Sequence, residues 1–225
     1  FINAIANICE LAGADVVQVA KGMGCDRRIG HEFLNAGLGY GGSCFSKDAQ
    51  SLINTAQKLG YDFGLLRSVV QVNADQPLRF VDKIRKALGS LDGKRIAVLG
   101  LAFKPNTDDL RDARSLDIVA RLIAENARVA AFDPIAMENA RKVFPQIQYC
   151  ANAYDAAEGA HALAVVTEWN EFKHLDLARV KESMAVPIIV DGRNIYDPQR
   201  MRRLGFEYHS VGRPAVTRSR ETAAI

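Results

Sequence analysis

The chain has 225 residues, 48% of them hydrophobic and 24% charged, which is the ordinary composition of a folded globular protein. Lys and Arg total 29 against 26 Asp and Glu, and a formal net charge of +3 excludes a general nucleic-acid or membrane surface. No apolar run in the sequence approaches the roughly 18 residues of a membrane-spanning helix. Four cysteines without CxxC spacing predict reduced thiols in a cytoplasmic protein, with no disulfide scaffold and no metal site.

The first ninety residues carry helical patterns. Apolar residues at helical spacing predict helices from residue 2 to a stop at Ala12–Gly13, from Ala14–Asp15 to Gly24, over 43–59, and over 64–88. The glycine-rich stretch 35–44 between them is predicted to be a loop. Because Phe1 already lies in a helical pattern, we expect the sequence to start inside a helix of a larger protein.

From residue 91 onward, short apolar runs alternate with helical patterns. Strands are predicted over 96–100, 128–132, 147–149, 162–167, 187–191 and 206–210. Helices are predicted over 115–126, 137–143, 153–158, 177–183 and 198–204, with Asn152 as an N-cap. The alternation is typical of a doubly wound parallel sheet.

The predicted fold class is therefore α/β, with three parts. A helical domain (1–90) is joined by a long helix to a Rossmann-like domain (91–211), and a flexible basic tail follows (212–225). Ligands of such sheets lie at the carboxyl ends of the strands.

The segment GYGGSCFSKD, residues 39–48, carries the strongest chemical signal. Glycines expose backbone N–H groups, and a helix beginning near Ser43 puts Cys44 in its first turn, where the helix dipole and Lys47 favour the thiolate. Asp48 lies one turn further along the same face, an arrangement suited to thioester chemistry. The alternative is that Cys44 is a small buried hydrophobe without reactivity.

Two further segments follow predicted strands. After the first strand, Phe103 offers a stacking face, and Lys104 and Arg111 offer cations for phosphate, but Gly100 alone does not make a GxGxxG dinucleotide loop. After a later strand, Arg193 is well placed for an anion. A solvated charged loop and a surface salt bridge are the respective alternatives. Trp169 is interpreted as a packing residue rather than a stacking platform.

Taken together, these motifs resemble the UDP-glucose/GDP-mannose dehydrogenase family. The matching stretches are GADVVQVAKGMGCDRRIG, GYGGSCFSKD, VLGLAFKPNTDDLRDARS, AFDP, TEWNEF and DGRN. The resemblance implies two-step, NAD-dependent oxidation of the C6 alcohol of UDP-glucose to UDP-glucuronate, as in polysaccharide biosynthesis. It also implies that an N-terminal NAD-binding domain and, separately, the family's catalytic lysine and asparagine precede Phe1.

The resemblance also implies roles for individual residues. Cys44 is expected to be the nucleophile and Asp48 its catalytic carboxylate, while Lys47 and Arg111 are expected to contact NAD. Arg28 is expected to reach the substrate of a neighbouring subunit, which implies a homodimer. The other expected contacts of the UDP-sugar are Phe33, Asn35, Ala36, Gly37, Leu38, Gly39, Tyr40, Gly41, Phe45, Phe103, Lys104 and Arg193.

Two alternatives remain open. One is a relative that oxidises another nucleotide sugar, such as a UDP-N-acetyl-hexosamine or GDP-mannose. The other is a nucleotide-sugar-binding and dimerisation module without turnover, which is also the behaviour expected of these residues in isolation. The presence of Cys44 and Asp48 favours descent from an active enzyme, since a binding module needs neither.

Overall fold

The computed structural model describes residues 1–217, and the elements found there follow the predicted order. The helices are α1 (Ile2–Ala12), α2 (Val16–Gly24), α3 (Ser43–Lys58), α4 (Gly64–Leu88), α5 (Arg114–Ala124), α6 (Met137–Val143), α7 (Ala153–Ala157), α8 (Asn170–Lys173), α9 (Leu177–Ser183) and α10 (Pro198–Leu204). The strands are β1 (Arg95–Leu99), β2 (Arg128–Phe132), β3 (Gln148–Tyr149), β4 (Ala162–Val165), β5 (Ile188–Asp191) and β6 (Glu207–Ser210). The helix α8 was not predicted, because it is too short to show a helical period.

Local chemistry explains several of these boundaries. The Asp15 side chain accepts a hydrogen bond from Val17 N and so caps α2. Gly13 ends α1 in the left-handed conformation, with φ of 69°. Asn152 caps α7 as predicted, accepting from two backbone N–H groups of the first turn.

The six strands form one parallel sheet in the order β3-β2-β1-β4-β5-β6. Alternate residues of β1 enter different cores: Ala97 and Leu99 pack on one side, and Ile96 and Val98 on the other. The second core includes Phe80 of α4. The long helix α4 therefore joins the helical unit, residues 1–90, to one face of the sheet. The predicted doubly wound α/β fold is confirmed.

The switch point of this sheet lies between β1 and β4. The strand order runs outward from β1 to β2 and β3 on one side, and from β4 to β5 and β6 on the other. At such a point the connections leave in opposite directions and open a crevice at the carboxyl edge. The loops after β1, β4 and β5 therefore lie side by side at this edge.

Residues 212–217 differ from the expected flexible tail. Arg213 is 8% exposed and Val216 is 3% exposed. Val216 forms an antiparallel bridge with Tyr208 of β6. Val16 N donates to Gly212 O at 2.7 Å, which ties this segment to α2. The expectation of a flexible tail rested on the polarity of the segment, whereas its backbone and Arg213 find buried partners. Residues 218–225 of the predicted tail lie outside the described residues.

Within residues 1–217, no helix combines the length and the apolar character needed to cross a membrane.

Candidate functional site

Polar side chains of α1 and α4 hold the glycine loop, residues 35–42. Gly37 N donates to the Asn3 side chain at 2.8 Å, and Gly37 O accepts from Gln76 at 3.0 Å. The Asn73 amide forms two bonds with Tyr40, accepting from its N–H at 2.7 Å and donating to its carbonyl at 3.0 Å. These backbone polar groups of the loop are therefore satisfied by side chains instead of secondary structure.

These holding residues were not predicted from the sequence. Asn73 and Gln76 are buried, at 7% and 4% exposed, on the face of α4 that also buries Phe80. Two buried amides one turn apart on an otherwise apolar face are the signal that could have revealed them.

One end of the glycine loop lies against the loop that follows β1. Gly42 N donates to Arg111 O at 3.0 Å. A β-carbon on Gly41 would come within 2.6 Å of Asp112 O, and one on Gly42 within 3.0 Å of the Phe103 ring. Only glycine allows this approach, so two predicted segments meet here.

The other part of the loop lies against the turn that follows β5. A β-carbon on Gly37 would stand 2.9 Å from Gly192 O, and one on Gly192 would stand 2.6 Å from the Leu38 side chain. The glycines at both positions bring the two backbones together. Arg193 follows Gly192 directly and so stands beside the loop.

The Arg193 side chain is held at its Nε. That atom donates to Val166 O at 2.7 Å and lies 3.1 Å from Oε2 of Glu168, with the Arg193 side chain 16% exposed. Burial lowers the pKa of Arg193, and the Glu168 and Asp191 carboxylates oppose that shift. Because an arginine stays protonated, the group presents a fixed positive charge suited to a phosphate.

Cys44 lies in the first turn of α3 and is exposed, so it is not the buried hydrophobe of the alternative interpretation. Lys47 and Asp48, one turn along, form an ion pair at 3.4 Å with both side chains largely exposed. Arg111 pairs with Asp109 at 2.8 Å, and this carboxylate raises the pKa of Arg111. The backbone carbonyl of Arg111 accepts from Gly42 N, two residues before Cys44, so Arg111 lies close to the start of α3.

Most of the predicted UDP-sugar residues border one cleft of about 630 Å³, which reaches α3 at Phe45, the residue after Cys44. Tyr40 and Phe45 form part of its wall, with ring centroids 5.7 Å apart. Ala36 and Leu38 pack inward instead, at 8% and 1% exposed. The predicted residues that line the cleft are Phe33, Asn35, Gly37, Gly39, Tyr40, Phe45 and Arg193.

Four predicted contacts stand apart from this cleft: Gly41, Phe103, Lys104 and Arg28. Phe103 supports the loop through Gly42, and Lys104 is exposed with its Nζ 5.4 Å from the Phe103 ring centre. The Arg28 side chain is 89% exposed and pairs with Asp26 at 2.7 Å. Its expected role on a neighbouring subunit's substrate stays a prediction.

The residues at the end of β1 do not fit a dinucleotide cradle. A β-carbon on Gly100 would meet the Thr167 side chain at 2.4 Å, so this glycine allows close packing against the end of β4. Lys47 and Arg111 are exposed and each is paired with a carboxylate, and their expected contacts with NAD stay predictions. Within residues 1–217, no group of three His, Cys, Asp or Glu side chains is arranged to hold a metal ion.

Comparisons with known proteins match both halves of the chain to one family. Residues 1–75 match the central domain of the UDP-glucose/GDP-mannose dehydrogenase family, and residues 97–198 match its UDP-binding domain. Among curated relatives, UDP-glucose 6-dehydrogenase TuaD of Bacillus subtilis is 48% identical over 96% of this chain and 47% of its own length. UDP-glucose 6-dehydrogenase of Rhizobium meliloti is 47% identical over 95% of this chain and 49% of its own length.

A solved structure shares the fold. A UDP-glucose dehydrogenase from Pyrobaculum islandicum superposes with a TM-score of 0.85 at 33% identity, covering 95% of this chain and 47% of that one. The chain thus spans about half the length of the relatives it matches. With both domain models matched in order and the glycine loop, Cys44 and Arg193 brought to one edge of the sheet, the chain belongs to the UDP-glucose/GDP-mannose dehydrogenase family.

Proposed function

We propose that this chain carries the UDP-sugar site and the nucleophile of an NAD-dependent UDP-glucose 6-dehydrogenase. The observation that supports this most is the packing of the glycine loop. Its Gly42 end touches Phe103, and its Gly37 part touches the Gly192 turn that bears Arg193. The glycine loop and the turn that bears Arg193 thereby line one cleft next to the first turn of α3, and the loop of Phe103 supports the glycine loop from outside that cleft.

The cleft offers what a uridine diphosphate needs. Arg193 supplies a fixed guanidinium for the pyrophosphate, and its Nη groups, which donate to no partner within residues 1–217, make the pairing. Tyr40 and Phe45 supply aromatic surface, and glycines 37 and 39 allow a ligand close to the backbone. These groups bind and orient the sugar nucleotide so that its C6 stands near the thiol.

Cys44 performs the covalent chemistry in this proposal. Its thiolate adds to the C6 aldehyde produced by the first oxidation and forms a thiohemiacetal, whose oxidation leaves a thioester. Water then attacks the thioester carbon, the C–S bond breaks, and UDP-glucuronate and free Cys44 result. Asp48 orients that water and takes its proton.

NAD, when bound, would supply the oxidising power for both steps, each of which removes a hydride from C6 and a proton from oxygen. Lys47 and Arg111 are the side chains beside Cys44 that would meet it. Since residues 1–217 do not form a dinucleotide cradle at Gly100, these 225 residues alone are expected to bind UDP-sugars without turnover.

We further propose a homodimer through the helical unit, in the cytoplasm. Large apolar side chains of this unit are exposed, including Leu11 at 91%, Leu59 at 81% and Leu65 at 75%. Sedimentation should therefore give about twice the 24.6 kDa of one chain, and a clean monomer would contradict it. An exposed nucleophilic thiol at Cys44 needs the reducing cytoplasm to stay free.

Protection of Cys44 from alkylation tests the function. The C6 aldehyde of UDP-glucose should protect Cys44 from iodoacetamide at concentrations where UDP-glucose itself protects weakly, because only the aldehyde can form the thiohemiacetal. GDP-mannose and a UDP-N-acetyl-hexosamine, as competitors, report on the alternative substrates. Protection by the aldehyde no better than by UDP-glucose would contradict the nucleophile role.

A further inference from the structure

The tripeptide Thr167-Glu168-Trp169 follows β4 and lies between the two loops that carry the candidate ligand residues. In the sheet, β4 stands between β1 and β5. The loop after β1 carries Phe103, and the turn after β5 carries Arg193. The side chains of the tripeptide contact both.

Thr167 and Trp169 hold the loop after β1. Thr167 Oγ1 donates to Ala102 O at 2.7 Å. Trp169 Nε1 donates to Asp133 Oδ2 at 3.1 Å, and the same oxygen accepts from Leu101 N at 2.7 Å and from Ala102 N at 3.2 Å. Asp133 and Thr167 are fully buried, so this network determines where the backbone that precedes Phe103 runs.

Glu168 faces the other way, toward Arg193. Its Oε2 lies 3.1 Å from Arg193 Nε, while the Nε hydrogen is donated to Val166 O at 2.7 Å. Among the described residues, that carboxylate oxygen accepts no hydrogen bond, so its contact with Arg193 is an ion pair. The pair holds the guanidinium by its Nε side and leaves the opposite edge for a ligand.

We propose that Thr167-Glu168-Trp169 is a positioning element of the UDP site, in which Glu168 orients Arg193 and Trp169 orients the loop of Phe103. This inference rests on the proposed function, since it assigns a role within the same site. None of the three residues is expected to touch the reacting atoms. They act through Arg193 and Phe103.

The sign of the effect of Glu168 distinguishes positioning from simple electrostatics. A carboxylate near an anion site repels the ligand, so its removal should tighten UDP binding if Glu168 has no positioning role. If it orients Arg193, Glu168→Ala should instead weaken UDP binding about fivefold, the equivalent of about 1 kcal/mol for a partly exposed ion pair. Glu168→Gln should behave like Glu168→Ala, because the contact is an ion pair without a hydrogen bond.

Calorimetric titration with UDP and double-mutant cycles test the element as a whole. In an Arg193→Ala background, Glu168→Ala should change the affinity for UDP by less than about twofold, because the two residues act as a unit. Trp169→Phe should instead weaken UDP binding in the wild-type and Arg193→Ala backgrounds, and should leave UDP binding unchanged in a Phe103→Ala background. Glu182→Ala, an exposed glutamate on α9, controls for net charge. Thermal unfolding of each variant separates loss of fold from loss of orientation.

A second readout does not need the ligand. The Arg193 Nε–H signal in ¹⁵N-labelled protein, assigned with Arg193→Lys, should exchange slowly with water and should broaden or exchange faster in Glu168→Ala. Tighter UDP binding by both Glu168 variants, or an unchanged Arg193 signal, would overturn the inference while leaving the UDP site intact. Wild-type protein that does not bind UDP would overturn the proposed function itself, and the Arg193 signal would then decide the orienting role of Glu168 alone.

Discussion

Gly42 lies against the aromatic ring of Phe103, so closely that a β-carbon on Gly42 would stand 3.0 Å from Phe103 Cε2. Gly42 also has φ of 85° and ψ of 149°, a conformation that is almost restricted to glycine. This contact joins the helical unit to the edge of the sheet at the residue before α3, two positions ahead of Cys44.

Gly42→Ala should therefore move the start of α3 and destabilise the fold. The expected loss in the free energy of unfolding is about 1 to 3 kcal/mol from the backbone conformation alone. Denaturant titration measures it. Gly22→Ala is the matched control, because Gly22 lies inside α2 and a β-carbon there would have no heavy atom within 4 Å. Since alanine favours the helix over glycine, this variant should raise the free energy of unfolding by about 1 kcal/mol. Equal effects at both sites would contradict the packing argument.

The reactivity of the cysteines should follow their positions on helices. Cys44 and Cys25 are both exposed, but Cys44 lies in the first turn of α3, whereas Cys25 caps the C-terminus of α2. The two thiols thus lie at opposite ends of a helix dipole, and the expected difference in their reactivity follows from that placement. Peptide mapping after limited iodoacetamide treatment should find Cys44 modified before Cys25.

The buried cysteines should react last. Cys9 and Cys150 are enclosed, and burial raises the pKa of the Cys150 thiol. A raised pKa leaves less thiolate at neutral pH, which slows alkylation. Faster modification of Cys25, Cys9 or Cys150 than of Cys44 in the folded protein would remove the argument for Cys44 as nucleophile.

Asn73→Ala should loosen the glycine loop. The substitution leaves the N–H and carbonyl of Tyr40 without their side-chain partners, which should cost about 2 kcal/mol in unfolding free energy. Gln71→Ala, on the exposed side of the same helix, loses only a bond to Asp75 and serves as the control. UDP affinity should fall with Asn73→Ala and stay unchanged with Gln71→Ala; the reverse pattern would show that the loop does not depend on this amide.

The fold was more predictable from the sequence than the site. Strands and helices of the α/β half are indicated by apolar periodicity, and the caps Asn152 and Asp15 by their side-chain chemistry. Cys44, Arg193 and the glycine loop were visible as motifs. Asp133 and Glu168 also lie in matching stretches, but their holding roles and that of Asn73 were not visible, because these roles depend on partners more than 24 residues away that only the fold brings near. The burial of Arg213 was missed because its hydrogen bonds to Tyr196 O and the Tyr208 hydroxyl form only where β6 lies beside β5.

Acid should weaken the connection between α4 and α5. The Arg85 guanidinium, with Arg121, holds the pKa of Glu125 below its ordinary value. A carboxylate with a lowered folded pKa contributes stability above its unfolded pKa and loses it as pH falls through the folded one. At neutral pH the free energy of unfolding of wild type should exceed that of Glu125→Gln by about 1 kcal/mol. This difference should disappear below about pH 4.

Glu138→Gln is the control for that pH series. Its side chain is 84% exposed, and its nearest approach to Arg141 is 3.9 Å, so no comparable stabilisation is expected. Denaturant titrations from about pH 3 to about pH 7 compare the two variants with wild type. A gap for Glu125→Gln that stays constant across this range would contradict the ion-pair account.

Titration calorimetry with UDP, on the 225-residue chain and on its Arg193→Ala variant, measures whether the cleft is a nucleotide site. We expect saturable binding by wild type and a loss of about thirtyfold in affinity for the variant, equivalent to about 2 kcal/mol for a phosphate-paired arginine. We also expect no NADH production when UDP-glucose and NAD are added to the chain. No binding at millimolar UDP, or equal affinity of Arg193→Ala and wild type, would contradict the claim that the glycine loop, Phe103 and Arg193 form a UDP-sugar site.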